Sequence, residues 1–166
     1  MTQWPNDPIK EMVQSLRVII GVLSLAGLAD ALYFTLAYYG RVRKARWVPQ
    51  ILCAREGSTC VTVLQTPYAR VFGVPNSLLG IVYYLLLMGW AMTARRLDAF
   101  YVVVYALALP LRWVLAVGSA LPVILGSYLI YALRHKLHVA CPLCYTAHGI
   151  NLALFVLLVV YCCAVL

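Results

Sequence analysis

With 166 residues, 64% of them hydrophobic and 11% charged, and a mean hydropathy of +0.89, the chain is too apolar for a soluble domain and reads as an integral membrane protein. Its formal charge of +8 comes from basic residues that flank apolar spans; this suits contact with anionic membrane lipids and leaves no soluble module for nucleic acid, so no nucleic-acid binding is expected. About 20 apolar residues cross a bilayer, so one domain of four or five helices fits this length, and the 12 tyrosines and 4 tryptophans suit interfacial belts and a stacked pocket.

Met1 to Leu16 carries Pro5, Asp7, Pro8, Lys10 and Glu11 and reads as a polar tail (residues 1–16) ahead of a single membrane domain (17–166), with room for one turn of interfacial helix. The first apolar stretch, Val18 to Tyr39, is longer than the apolar core of a signal peptide and lacks a small-residue cleavage pattern, so it is expected to stay as an anchor. The first membrane helix, about Arg17 to Tyr39, holds Gly21, Ser24, Gly27 and Ala31, small residues that let a neighbouring helix approach closely. Asp30 lies near its middle. A carboxyl at that depth is a functional candidate, here for a proton relay; a packing hydrogen bond or simple protonation is the plainer reading.

Gly40 to Asn76 is a long polar connection with Arg41, Arg43, Lys44, Arg46, Arg55 and Glu56, and loops of this length are usually functional or disordered. It carries Cys53 and Cys60, linked through Gly57 and Ser58, a hinge that would let either cysteine move. Mixed helical spacing from Val61 to Phe72 predicts a short helix lying along the membrane surface, broken by Gly73-Val74-Pro75-Asn76-Ser77. The second membrane helix, Ser77 to about Thr93, takes Asn76 or Ser77 as its N-cap and ends at Arg95-Arg96-Leu97-Asp98. Ala99 to Leu133 is too long for one perpendicular span and is interrupted by Pro110, Arg112 and Pro122. Two crossings there would put the loop cysteines and a later pair on opposite faces. One crossing, about Trp113 to Leu133, keeps them on one face and leaves Ala99 to Pro110 as an interfacial or tilted extension.

That later pair is Cys141-Pro142-Leu143-Cys144, placed where Arg134, His135, Lys136 and His138 give way to an apolar run that forms the last helix, about Cys141 to Tyr161. The first turn of a helix presents unpaired amide N–H groups and a partial positive charge that favours a thiolate. Pro142 fits the first helical position, where its missing N–H costs nothing. The spacing lets the two sulfurs close a disulfide, and a redox dithiol is the leading reading; half of a metal site and two inert membrane cysteines are the others. Cys162 and Cys163, near the far end of the helix, read as packing residues.

Cys60 followed by Thr66, then Phe72-Gly73-Val74-Pro75-Asn76-Ser77-Leu78-Leu79-Gly80, then Cys141-Pro142-Leu143-Cys144 and Asn151, resembles the vitamin K epoxide reductase family over roughly residues 18 to 161. A lone CxxC would be a weak signal; this ordered set is a strong one. The resemblance implies an all-α membrane protein, a four-transmembrane-helix bundle with a long cysteine-bearing loop and a short surface helix between helices 1 and 2. It also implies an oxidoreductase that takes electrons from protein thiols and passes them to a quinone of the ubiquinone or menaquinone type, driving disulfide formation. Cys53 would exchange with a thioredoxin-like partner and Cys60 would relay to the helix pair. Cys141 would receive the electrons, and Cys144 would face the quinone and form a transient sulfur adduct. Asn76 corresponds to a residue that hydrogen-bonds a quinone carbonyl, and Thr66 to a Ser/Thr position under the loop helix. His148 stands four residues after Cys144, where animal vitamin K enzymes carry a tyrosine, and as a donor there it favours plain quinone reduction, as in prokaryotic stand-alone homologues. Some relatives carry a fused thioredoxin-like domain, so the partner is expected to be a separate protein.

The protein is expected to be multi-pass in the plasma membrane. Family analogy puts the cysteine face outside the cytosol, where disulfides usually persist. Charge bias points the other way: Arg41, Arg43, Lys44, Arg46, Arg55, Arg70, Arg134 and Lys136 lie on the cysteine face, against Lys10, Arg17, Arg95, Arg96 and Arg112. Two rival classes are a membrane metal-binding protein with a thiolate site from the four cysteines and a structural tetraspan with a stiffening Cys53–Cys60 bridge. A c-type haem site is disfavoured because Tyr145, not histidine, follows Cys144.

Overall fold

The computed structural model describes residues 8–41, 63, 65–71, 73–97, 113–138 and 141–164. Cys53 and Cys60, the polar stretch around them, residues 1–7 and the expected extension from Ala99 to Pro110 lie outside the described residues. Among the described residues, four helices are long and apolar enough to cross a membrane: α1 (Pro8–Tyr38), α2 (Asn76–Leu97), α3 (Trp113–Leu137) and α4 (Pro142–Ala164).

Helix α1 starts at Pro8, earlier than its apolar stretch. Proline suits the first helical position, and Glu11 in the first turn offsets the helix dipole, so a polar segment can be helical without being apolar. Its end is a Schellman stop: Gly40 adopts φ +70°, its N–H donates to the Ala37 carbonyl at 3.1 Å, and the Arg41 N–H donates to Leu36 at 2.9 Å.

Between α1 and α2 the expected surface helix is shorter than its spacing predicts. Val63 and Gln65 are helical, and the chain then enters a 3-10 turn over Pro67–Ala69. Pro67 has no N–H to continue an α-helix, and the extended φ/ψ of Thr66 before it matches the restriction a proline imposes. A two-stranded hairpin follows, β1 (Arg70–Val71) pairing antiparallel with β2 (Val74–Pro75) around Gly73 at φ +79°. The Arg70 guanidinium sits 5.6 Å from the centre of the Tyr38 ring, and Tyr68 meets Tyr128, so this segment is tied to α1 and α3. It delivers the chain directly into α2 at Asn76.

Helix α3 has a break at Ser119, whose hydroxyl donates to the Ala116 carbonyl at 2.6 Å. The cause is Pro122, which lacks an N–H for the Gly118 carbonyl and clashes with it, so the ladder opens one turn earlier. The helix closes through a π-turn, Leu133–Leu137, and His138 in the left-handed region. One crossing from Trp113 to Leu137 brings the end of α3 to the start of α4.

Helix α1 packs on α2 and α4, and α4 on α3. Two clusters fill the bundle. One, running from mid-depth towards the far end, joins Ile20, Ala31, Tyr84, Leu87, Ala116, Leu154, Leu158 and Cys162; the other, at the cysteine end, joins Phe34, Val63, Leu129, Leu133, Cys141 and Cys144. Large apolar side chains such as Val22, Val117 and Ile124 are more than half exposed and face outward, as lipid-facing residues must. Cys162 is buried in the mid-depth cluster, in keeping with a packing role, and Cys163 is exposed.

Candidate active site

Cys141 precedes the first helical residue of α4, and Pro142 opens the helix, so the Tyr145 N–H donates the first helical bond back to the Cys141 carbonyl at 3.1 Å. The Cys144 amide N–H points to the Cys141 sulfur at 3.4 Å. Cys141 and Cys144 are joined by a disulfide with their Cα atoms 5.3 Å apart, which is the oxidised form of a dithiol pair. Cys141 is fully buried beneath Phe34, Val63, Leu129 and Leu133; Cys144 is turned further into the bundle.

From Cys144 inward, α4 presents Cys144, His148 and Asn151 at helical spacing to a cavity of about 520 Å³ that lies between the two clusters. This volume falls within the roughly 300–1,000 Å³ of small-molecule sites. The walls are mostly apolar: Phe34 and Ala31 of α1, Leu79 and Gly80 of α2, Leu121, Pro122 and Leu125 of α3. Polar groups are few and placed at distinct points, with Asn76, Ser77, Tyr83 and Tyr84 on α2, Asp30 on α1, and His148 and Asn151 on α4.

The hydrogen bonding of these groups is uneven. Tyr84 donates to Asn151 Oδ1 at 2.6 Å, a buried bond that ties α2 to α4. By contrast Asn76 Oδ1, Ser77 Oγ and both ring nitrogens of His148 are buried with no partner among the described residues. Asn76 and Ser77 therefore do not cap α2 through their side-chain oxygens, and His148 is not a satisfied packing histidine. Buried polar groups are normally paired, so a cluster of unpaired ones around an apolar cavity marks a place where a ligand supplies the bonds. The lining has the donors and acceptors that a flat apolar ring bearing two carbonyls would need: Ser77 and His148 can donate, and Asn76 Oδ1 can accept.

His148 is held from behind by Gly126 of α3. A Cβ built at Gly126 would fall 2.5 Å from His148 Nδ1, so only glycine leaves the imidazole where it is.

Of the residues singled out from the sequence, Cys144, Asn76 and His148 meet at one cavity with the Cys141–Cys144 disulfide at its rim. Thr66 does not border it; its hydroxyl donates to the Val63 carbonyl at 2.7 Å in a local turn. Cys53 and Cys60 lie outside the described residues. Among the described residues, no three of His, Cys, Asp and Glu gather to hold a metal ion. Sequence reasoning singled out none of Tyr84, Tyr83 and Gly126, because no local motif marks a mid-helix tyrosine or glycine as part of a site.

A comparison with curated proteins returned no match. The sequence model of the Vitamin K epoxide reductase family matches residues 18–159, which takes in α2, α3, most of α1 and α4, the Cys141/Cys144 pair and the cavity lining. The chain thus belongs to the vitamin K epoxide reductase family, and with its four membrane-crossing helices it is a multi-pass membrane oxidoreductase of the general thiol/quinone class.

Proposed function

We propose that the protein oxidises the thiols of a thioredoxin-like partner and reduces a membrane quinone of the ubiquinone or menaquinone type, and so drives protein disulfide formation. The observation that carries this reading is the Cys141–Cys144 disulfide at the rim of an apolar cavity whose buried polar atoms lack partners. Cys53 exchanges with the partner, Cys60 relays to Cys141, and Cys144 delivers the electron pair to the quinone. The helix start, with the Cys144 amide directed at the Cys141 sulfur, favours negative charge on that sulfur once the pair is reduced. Each step is an attack of thiolate on disulfide, with the direction set by relative potentials and finally by the quinone pool. Asn76 and His148 hold the quinone through its oxygens.

The cavity lining runs out to lipid-facing Val82 and Leu86 on α2 and Val114 and Leu121 on α3, each more than half exposed. A quinone tail leaves between these helices while its head stays at Cys144.

For orientation, Arg41, Arg70, Arg134 and Lys136 are exposed at the cysteine end, and Lys10, Arg17, Arg95 and Arg96 belong to helix segments at the other end; the loop cations Arg43, Lys44, Arg46 and Arg55 tip the charge bias of the sequence towards the cysteine face. This bias favours a cytoplasmic cysteine face in the plasma membrane.

The decisive experiment is anaerobic quinone reduction by purified protein with a small dithiol donor. Wild type should turn over, and Cys141→Ala and Cys144→Ala should each abolish turnover. Cys53→Ser should block oxidation of a protein thiol while sparing turnover with the small dithiol. Quinone reduction at the wild-type rate by Cys144→Ala would rule out the electron path.

A further inference from the structure

The cavity is polar at two levels. Asn76 and Ser77 open α2, and Cys144 lies in the first turn of α4, so these groups sit at the cysteine end. Asp30 precedes the end of α1 at Tyr38 by eight residues, Tyr84 follows Asn76 by eight, and Asn151 follows Pro142 by nine. At 1.5 Å per residue all three lie about 12 Å deeper. The Tyr84–Asn151 hydrogen bond, and the packing of Gly27 and Ala31, on either side of Asp30 in α1, against Tyr84 place them on one level. His148, six residues into α4, falls between the two levels.

The two carbonyls of a para-quinone point in opposite directions. If one meets the groups beside Cys144, the other faces the deeper level, where the oxygen must also gain a proton on reduction. Tyr84 has its hydroxyl proton committed to Asn151; the Tyr83 hydroxyl is buried without a partner among the described residues, but a phenol is a far weaker acid than a carboxyl. Asp30 is the one carboxyl among the cavity-lining residues, and no Lys or Arg lines the cavity with it. Without a counter-charge, the neutral carboxyl is the form an apolar cavity tolerates, so the proton is already in place.

We infer that Asp30 is the catalytic acid for the quinone oxygen remote from the cysteines, an inference that rests on the quinone-reductase reading above. Cys144 gives up its thiol proton and its sulfur bonds to a ring carbon, while Asp30 passes its proton to the far oxygen as the electron pair arrives there. Cys141 then attacks the Cys144 sulfur; the S–S bond forms, the C–S bond breaks, and the near oxygen takes the proton that Cys141 releases. The proton lost by Cys144 reloads Asp30, with His148 on the way. Two electrons and two protons leave the dithiol, and the hydroquinone gains both.

The test follows single-turnover oxidation of the dithiol-reduced, full-length protein by a short-chain ubiquinone and by menadione, alongside steady-state kcat and KM. Asp30→Asn should lower kcat at least tenfold, with KM changed less than about twofold and reduction of the Cys141–Cys144 disulfide by dithiothreitol unaltered. Asp30→Glu, which keeps the acid in a longer side chain, should retain more activity than Asp30→Asn; a merely structural aspartate would give the reverse order, because asparagine matches it in size. Wild-type kcat in Asp30→Asn overturns the inference. Should that variant not purify folded, Asp30→Ala with added acetic acid decides: rescue of kcat supports the role, and no rescue overturns it. Wild type that accepts electrons from dithiothreitol but reduces neither quinone would sink the parent reading, and this one with it, before any variant is compared.

Discussion

At the scale of single residues, the imidazole of His148 depends on an atom that is missing from its neighbour. Gly126 leaves no Cβ where the ring lies, so the side chain proposed to hold the quinone is positioned by a helix other than its own. Gly126→Ala is expected to push the ring off its position and, since misplacement of about 1 Å can cost around 100-fold, to lower kcat/KM for quinone by between about tenfold and 100-fold. The disulfide should still form, which thiol counting before and after reduction would verify; unchanged kcat/KM would mean the ring takes no part. This dependence could not be read from the sequence. Cys144 and His148 share a face of α4 by simple spacing, but that Gly126 of another helix backs the same ring follows only from how the helices are rotated.

Among elements, the contact between α1 and α2 is set by a similar device on a larger scale. A Cβ at Gly27 would overlap the Tyr84 ring, and Gly80 of α2 approaches Ala31 of α1, with 3.5 Å between a Cβ built there and the alanine Cβ. The ring is thus received by α1 and aimed through α2 at Asn151. Gly27→Ala should force Tyr84 out, cost roughly 1–3 kcal/mol as overpacking does, and lower the thermal midpoint in detergent. Tyr84→Phe should cost less, on the order of 1 kcal/mol for a lost hydrogen bond. An equal or greater loss in Tyr84→Phe would show that the bond, and not the close approach, holds the pair. The small-residue stripe Gly21, Ser24, Gly27, Ala31 was legible as a helix-packing face because its spacing is local. The partner was not: Tyr84 and Asn151 lie 67 positions apart, and periodicity carries no information about that pairing. The same limit explains the surface segment, where apolar spacing pointed to a helix over Val61–Phe72 but Pro67 and the Gly73 turn impose a 3-10 turn and a hairpin. Local stereochemistry outweighed periodicity there, while at Pro142 the two agreed.

Taken whole, the bundle has a sidedness that its chemistry uses. The ends of α1 and α3 and the starts of α2 and α4 meet at one face, where the disulfide and the exposed Arg41, Arg70, Arg134 and Lys136 lie, and a single crossing by α3 is what brings this about. The parity was legible from the positions of the cysteines; residues 99–112 remain the stretch for which the sequence offers only an expectation. If the cysteine face is cytoplasmic, a membrane-impermeant thiol reagent should leave Cys53 unlabelled in intact cells and label it in inverted vesicles. Labelling in intact cells would reverse the assignment and give the protein the orientation of an extracytoplasmic oxidant.

The flank of the cavity formed by Val82, Leu86, Val114 and Leu121 has a consequence for how the enzyme meets its acceptor. A site that opens sideways into the bilayer samples a two-dimensional solution, in which the quantity that saturates it is the number of quinone molecules per lipid and not the number per litre. Diluting the same quinone with more lipid or detergent would then slow turnover even as the bulk concentration stays fixed. On the proposed reading, two membranes of different quinone content would set different working rates for an identical protein, and the redox state of the membrane would throttle thiol oxidation.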